Sequence, residues 1–253
     1  MQLQRQCGTN KRCLLNSKSV SVGISQPFDC NYIEGNKEQL LVIQEPQIDA
    51  ALFEQLLTMG FRRNGNAIYK PRCPSCQACQ SIRLNVNDFI LSKRQKRTLK
   101  NNQDLHWKVT HTSRPEHYDL YQRYINERHN DGPMFPASPT QYDDFLLSDW
   151  LPPMFIEVFD QDRLIGVAVT DEMMSSFSAI YSYFDPDYAD RSLGSLMILI
   201  QCQLAKSLGK RFLYLGYQID QNRKMNYKRQ YRPYQILTAL GWQVGENLTA
   251  LSR

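Results

Sequence analysis

The chain has 253 residues, a formal net charge of +5 and a pI near 8.8, with 42% hydrophobic and 22% charged residues. That composition suits a soluble globular protein with one large or two small domains and argues against a disordered or fibrous chain. No apolar run approaches the roughly 20 residues needed to cross a bilayer, and the N-terminus lacks the apolar stretch of a secretory signal, so the chain reads as cytoplasmic. Its seven cysteines then read as thiols or metal ligands rather than disulfides.

Residues 1–18 carry no helical or strand period and are expected to form a disordered extension, with Cys7 and Cys13 structurally idle. Gln39 to Ile43 reads as a strand. From Ile48 to Met59 the apolar residues Ile48, Leu52, Leu56 and Met59 fall at helical spacing, and Gly60 stands where a C′ glycine terminates a helix. Ala67 to Lys70 and Ser81 to Val86 read as strands on either side of a cysteine-rich turn. The basic run Lys93 to Lys100 follows, either as a solvated helix or as a contact to a phosphate backbone.

A second unit begins near His106, which divides the chain into a cysteine-containing region (19–105) and a C-terminal domain (106–253). Pro115 to His129 and Thr140 to Leu147 read as helices. Phe155 to Asp160 and Leu164 to Asp171 form a hairpin across Gln161-Asp162, and Phe177 to Phe184 is the next strand. In the helix from Ser192 to Leu208, apolar side chains at Leu193, Leu196, Met197, Ile200, Leu204 and Leu208 make one buried stripe. Ser192 suits the N-cap and Gly209 the terminator. Tyr214 lies in a further strand, so Asp185 to Arg191 is the turn of a strand–helix–strand crossover. The overall expectation is an α+β fold.

Two constellations carry chemistry. Cys73, Cys76 and Cys79 are spaced by two residues, and Cys30 could add a fourth thiolate; zinc or an iron–sulfur cluster would accept such a set, while the alternative is a turn packed with small apolar thiols. Cys202, on the amphipathic helix, reads as inert. From Asn222 to Tyr234, Arg223, Lys224, Lys228, Arg229 and Arg232 alternate with Tyr227, Tyr231 and Tyr234. A purely solvated face has no need of three tyrosines, whereas phosphate or carboxylate pairing together with base stacking uses both residue types. At the crossover, Arg191 and Gly194 match the Gln/Arg-x-x-Gly-x-Gly/Ala loop with which GNAT acetyltransferases hold coenzyme A pyrophosphate. Leu196 stands where that loop needs a small residue.

The segments Cys30-Asn31-Tyr32, Tyr69 to Cys79, Asp185-Pro186-Asp187-Tyr188, Ser192-Leu193-Gly194-Ser195, Tyr214-Leu215-Gly216-Tyr217 and Lys224-Met225-Asn226-Tyr227-Lys228 resemble, in that order, the arginyl/leucyl-tRNA–protein transferase family, in its short bacterial branch. The resemblance covers roughly residues 20–245. It implies a cysteine-bearing N-terminal region and a GNAT-like C-terminal domain, with no cofactor required for the transfer. It implies aminoacyl-tRNA as donor and proteins with N-terminal Asp or Glu as acceptors, which receive leucine on the α-amine and are thereby marked for degradation. Eukaryotic members link a C-x-x-C and an adjacent cysteine pair to an iron–sulfur cluster; here Ile33 stands three residues after Cys30 and breaks that pattern. Asp185 and Tyr227 are the candidate catalytic groups. Arg191, Gly194, Lys224, Lys228, Arg229 and Arg232 are the candidate substrate contacts. The rival readings are a coenzyme A-dependent N-acetyltransferase and a non-catalytic nucleic-acid-binding protein. An assay with charged tRNA and an Asp-initiated peptide separates them.

Overall fold

The computed structural model describes residues 20–45 and 47–245, so the expected N-terminal extension, with Cys7 and Cys13, lies outside the described residues. The N-terminal region contains β1 (Val22–Ile24), β2 (Phe28–Asp29), β3 (Lys37–Glu38), β4 (Leu40–Ile43), α1 (Ala50–Thr58), β5 (Arg62–Asn64), β6 (Ala67–Pro71), β7 (Gln80–Asn85) and α2 (Lys93–Lys100). Then come β8 (His106–Thr110), α3 (Pro115–Arg128), α4 (Pro139–Leu146), β9 (Met154–Asp160), β10 (Arg163–Glu172) and β11 (Ser176–Phe184). A 3-10 turn (Pro186–Arg191), α5 (Leu193–Ser207), β12 (Phe212–Gln218), a second 3-10 turn (Asn226–Gln230), β13 (Tyr234–Thr238) and β14 (Gly241–Val244) complete it.

Eight strands make the main sheet, in the order β14-β13-β7-β12-β11-β10-β9-β8. Strands β8 to β11 form an antiparallel meander. The connection through α5 then places β12 parallel to β11. The N-terminal region lends β7 to this sheet, where it pairs antiparallel with both β12 and β13. A four-stranded sheet, β1-β4-β6-β5, and the β2-β3 pair complete the N-terminal layer. The fold is α+β as expected, and the two sequence regions interlock through β7.

Local chemistry explains the helix ends. Asp49 accepts the N–H of Leu52 (2.7 Å) to start α1, and Gly60 takes φ +89° just past its end. Ser92 and Gln95 close a reciprocal capping box on α2. The start of α5 departs from the sequence expectation: Ser192 occupies the N-cap position in the left-handed region (φ 56°, ψ 40°) and its side chain caps nothing. A non-glycine residue there costs about 1 kcal/mol. Leu193, Leu196, Met197 and Ile200 of the expected stripe are buried, Leu204 is half-buried and Leu208 is exposed past the helix end, while Ile198 and Leu199 outside the stripe are buried as well. Helix α2 packs against α5 in addition to the strands β9–β12. Cys202 is 5% exposed and its thiol is pushed up to about 12 by burial, which fits an inert core residue.

A smaller core gathers under α1, where Phe53, Leu56, Leu57 and Ile68 meet Met173, just past β10, and Tyr214 of the main sheet. Each such large apolar side chain contributes about 1.5–3 kcal/mol by leaving water. Hydrophobic burial therefore joins the N-terminal layer to the sheet.

Candidate active site

Pairing between β11 and β12 is confined to Ser176, Phe177 and Ser178 opposite Phe212, Leu213 and Tyr214. Beyond these residues the two parallel strands part. Two irregularities mark the parting: the β10–β11 register shifts between Val169 and Thr170, and the β12–β7 register shifts between Tyr214 and Gly216, with Gly216 at φ +85°. A bulge bends its strand and disrupts the ladder, which is what an opening between neighbouring strands requires. Antiparallel strands leading into a parallel pair, joined by a helix and then splayed, give the C-terminal domain its GNAT-like form.

Each wall of this opening holds a buried cation. Arg62 of β5 donates from Nη2 to the carbonyl of Ala179 on β11 (2.5 Å), taking the place of a ladder bond that β12 no longer supplies. Lys228 donates from Nζ to the carbonyl of Tyr217 on β12 (2.5 Å) and lies 3.8 Å from Met225 Sδ. Both residues are 6% exposed. A β-carbon placed on Gly216 would sit 3.8 Å from Arg62 Nη2 and 3.8 Å from Lys228 Nζ, so both heads border the space that this glycine leaves free. Burial and the neighbouring Arg62 guanidinium bring the Lys228 ammonium down to about 7.

The other basic residues of the segment are engaged differently. Lys224 pairs with Asp131 (3.1 Å) on the surface. Arg229 pairs with Asp220 (3.0 Å) and donates to Gln80 Oε1 (3.1 Å). The backbone carbonyl of Arg232 accepts the N–H of Ile90. Tyr227 is 41% exposed. Of the four cations proposed to read an anion, Lys228 alone is buried at the opening. Sequence reasoning missed Arg62. The signal was the adjacent pair Arg62-Arg63 on a three-residue strand: successive strand side chains point to opposite faces, and both arginines here are buried.

Asp185 is 1% exposed and caps its turn. Its Oδ1 accepts from Arg123 Nη1 (3.0 Å) and from the N–H of Asp187 (3.1 Å), and its Oδ2 from Arg163 Nη2 (2.5 Å). With both oxygens held by cations, the arrangement fits the turn-capping role better than that of a proton acceptor. Changing Asp185 to Asn is therefore expected to lower stability by about 1–2 kcal/mol, discounted because both arginines are partly exposed. The kcat of the folded variant should stay within about tenfold of the parent, whereas loss of a general base typically costs 10²–10⁴-fold. A loss of kcat in that larger range at unchanged melting temperature would return Asp185 to the catalytic group.

Arg191 also folds back onto the protein, through Asn102 Oδ1 (2.9 Å) and Asp104 Oδ1 (2.6 Å). Gly194 has no crowding reason to lack a side chain, since a β-carbon there would meet only the Phe184 ring at 3.7 Å. Leu196 is 5% exposed. A polar cleft opens beside the N-terminus of α5, lined by Arg94, Arg97, Thr98, Asn101, Asp190, Arg191 and Ser192. Helix α2 presents Lys93, Arg94, Lys96, Arg97 and Lys100 to solvent, and among the described residues none of the five makes an ion pair.

The cysteines gather beside this site without forming the expected ligand set. Burial, then Glu38, Cys73, Cys30 and Cys76, push the Cys79 thiol up to about 12. Cys30 Sγ accepts the N–H of Tyr32 (3.4 Å), and the Tyr32 carbonyl accepts from Asn222 (3.0 Å). Yet among the described residues no group of three or more His, Cys, Asp or Glu side chains is arranged to hold a metal ion. The zinc or iron–sulfur expectation at Cys30, Cys73, Cys76 and Cys79 therefore finds no support among the described residues, although Cys73, Cys30 and Cys76 all lie near enough to Cys79 to raise its thiol.

Parted parallel strands beside an exposed basic helix offer a site suited to group transfer, but the fold alone does not define the class. Comparison with known proteins makes the class specific. Residues 28–97 match the family model described as the N terminus of arginine-tRNA-protein transferase, and residues 116–238 match its C terminus. The aspartate/glutamate leucyltransferase of Shewanella putrefaciens is 64% identical over 228 residues, 90% of this chain and 97% of that protein. The Shewanella oneidensis protein of the same name is 62% identical over 231 residues, 91% and 97% of the two chains. Among solved structures, L-PGS from Bacillus licheniformis aligns with a TM-score of 0.45 at 12% identity, covering 71% of this chain and 54% of that one. The chain belongs to the arginine-tRNA-protein transferase family and is an aminoacyltransferase. Among the described residues no helix is long and apolar enough to cross a membrane.

Proposed function

We propose that the protein transfers leucine from Leu-tRNA to the α-amine of proteins that begin with Asp or Glu, marking them for degradation. The observation that carries this reading is the five unpaired cations of α2 beside the N-terminus of α5, at the end of the parted strands. An acyl donor borne on a polyanion suits that surface, because each phosphate contact releases counterions. Coenzyme A is less favoured by the loop sequence, in which Leu196 departs from the small-residue pattern; its side chain is buried in the main core and does not line the cleft.

The chemistry asks little of acid–base catalysis. The aminoacyl ester is already activated, and an N-terminal amine has a pKa of about 7.7–8.0, so a useful fraction is free base near neutrality. Its nitrogen attacks the ester carbonyl carbon. A C–N bond forms, the C–O bond to the tRNA ribose breaks, and one amine proton ends on the ribose oxygen. Holding amine and ester in contact supplies on the order of 7–11 kcal/mol of the barrier reduction. In this reading the opening between β11 and β12 receives the acceptor terminus and the α5 cleft a phosphate of the tRNA acceptor end.

The test is a transfer assay with purified protein, charged Leu-tRNA and peptides that begin with Asp, Glu or Asn, read by mass. Addition of one leucine to the Asp and Glu peptides is the expected result. No addition to either removes the reading, and preference for Arg-tRNA moves the protein to the arginyl branch.

A further inference from the structure

We propose that Arg62 and Lys228 form the pocket that binds the side-chain carboxylate of the acceptor's N-terminal Asp or Glu, and so determine which proteins are modified. This rests on the transfer reading above and adds the acceptor-recognition residues to it.

The site is built for an anion. Two cations are buried on opposite walls of one opening, both bordering the space left free at Gly216. Their hydrogen bonds go to neutral carbonyls of Ala179 and Tyr217. Arg62 Nη1 is buried with no hydrogen-bond partner among the described residues. The neighbouring carboxylate of Asp171 is already taken by the bidentate Arg63. Buried charges are paired in folded proteins unless a ligand pairs them, and an uncompensated pair of like charge is costly. Lys228 can relieve part of this cost by losing its proton near neutrality, but an arginine cannot. The cost is met when a carboxylate enters, with one oxygen toward Arg62 Nη1 and the other toward Lys228 Nζ.

The geometry favours a carboxylate at a chain end over a phosphate. An internucleotide phosphate would have to bring two flanking nucleosides between the strands, whereas an N-terminal side chain enters end-on and leaves its α-amine at the rim. The exposed cations of α2 offer phosphates a surface that needs no such insertion. Asparagine, the neutral isostere, offers one carbonyl oxygen and one NH2 group, so one of the two donors would face amide protons and no negative charge would enter to compensate the cations.

The experiment compares kcat/KM for Asp- and Asn-initiated peptides in the parent enzyme and in Lys228→Met, Arg62→Met, Lys228→Arg and Arg62→Lys, with Leu-tRNA affinity measured alongside. The parent should prefer Asp by on the order of 10²–10³-fold. The two methionine variants should bring the ratio to within about tenfold with tRNA affinity unchanged, and the charge-keeping variants should retain most of the preference. Methionine variants that keep the parental ratio overturn the proposal. So do variants that lose tRNA affinity while still discriminating, because the bound anion is then a phosphate. If the methionine variants do not fold, a crystal structure of the parent with an Asp-peptide whose α-amine is dimethylated decides. A side-chain carboxylate within hydrogen-bond reach of Arg62 Nη1 and Lys228 Nζ supports the pocket, and one bound elsewhere overturns it. Absence of transfer to every peptide is a different result and defeats the transfer reading instead.

Discussion

Replacing Asp171 with Ala is expected to destabilise the protein by about 3–5 kcal/mol. At this chain length each kcal/mol moves the melting temperature by roughly 2–4 °C, so a drop on the order of 10 °C is expected. Asp171 on β10 and Arg63 on β5 pair at 2.6 Å, and both side chains are 0% exposed. The guanidinium reaches both carboxylate oxygens and also donates to the carbonyls of Leu146 (3.0 Å) and Gly65 (3.3 Å). Burial pushes the Asp171 carboxyl up, and the Arg63 guanidinium pulls it back. Removing the acid leaves an arginine that is charged, buried and unpaired, which explains why one substitution costs so much. Changing both partners, Arg63→Met with Asp171→Leu, should recover most of the loss, since neither charge then remains to be paired. A melting temperature for the single variant within 2 °C of the parent would show that water reaches this pair.

The second large effect concerns acid. Glu157 of β9 and His117 of α3 are both 0% exposed, and Oε1 of Glu157 lies 2.6 Å from His117 Nε2. The backbone N–H of Arg114 donates to His117 Nδ1 (3.4 Å), so the ring is neutral and carries its proton on Nε2, toward the carboxylate. Arg114 Nη2 also donates to Glu157 Oε1, and Lys108 Nζ lies 3.7 Å from Oε2. Burial lowers the His117 pKa more than Glu157 raises it. Burial pushes Glu157 up, but the hydrogen bonds from His117 and Arg114 outweigh it and hold the carboxyl below its usual range.

Both groups therefore take up protons more readily in the unfolded chain than in the folded one. Stability rises with pH wherever the unfolded chain binds more protons. The contribution is full above the ordinary histidine value of 6.5, starts to fall below it through His117, and falls further below the ordinary glutamate value of 4.5 through Glu157. Glu157→Gln should cost about 2–4 kcal/mol near neutrality. In the melting temperature it should remove the part of the decline below 4.5 that comes from Glu157, while His117, deprived of the carboxylate that raises its pKa, makes the decline below 6.5 steeper. A variant whose decline parallels the parent would place the acid sensitivity elsewhere.

Much of this architecture was legible because periodicity reports burial directly. Residues 48–59 and 192–208 carry the helical pattern, and the hairpin of β9 and β10 follows from two apolar runs around Gln161-Asp162. Strands β5 and β8 left no such trace. Arg62-Arg63-Asn64 holds no apolar residue, since tertiary ion pairing and hydrogen bonding rather than hydrophobic burial take it inside. His106 to Thr110 lies at the sheet edge, where only one neighbour constrains it. The site divides in the same way. Lys228 stood inside a legible basic and tyrosine-rich segment, but nothing local distinguishes it from Lys224, which stays on the surface. Burial of Lys228 depends on the parting of β11 and β12, which only the assembled sheet defines. Cysteine spacing likewise foretold that the thiols gather but not whether they form a ligand set.

The insertion of β7 between β12 and β13 has a consequence for the order of events during synthesis. This strand leaves the ribosome well over a hundred residues before either of its neighbours, so its edges stay unsatisfied until the chain is nearly complete. The main sheet closes last at that seam, and the acceptor opening beside it exists only once the final third of the protein has been made. A chain cut after residue 105 would give a first fragment carrying β7 without partners and a second carrying a gap of its shape. Mixed together, the fragments would be expected to reassemble; kept apart, each would expose the strand edges that invite aggregation.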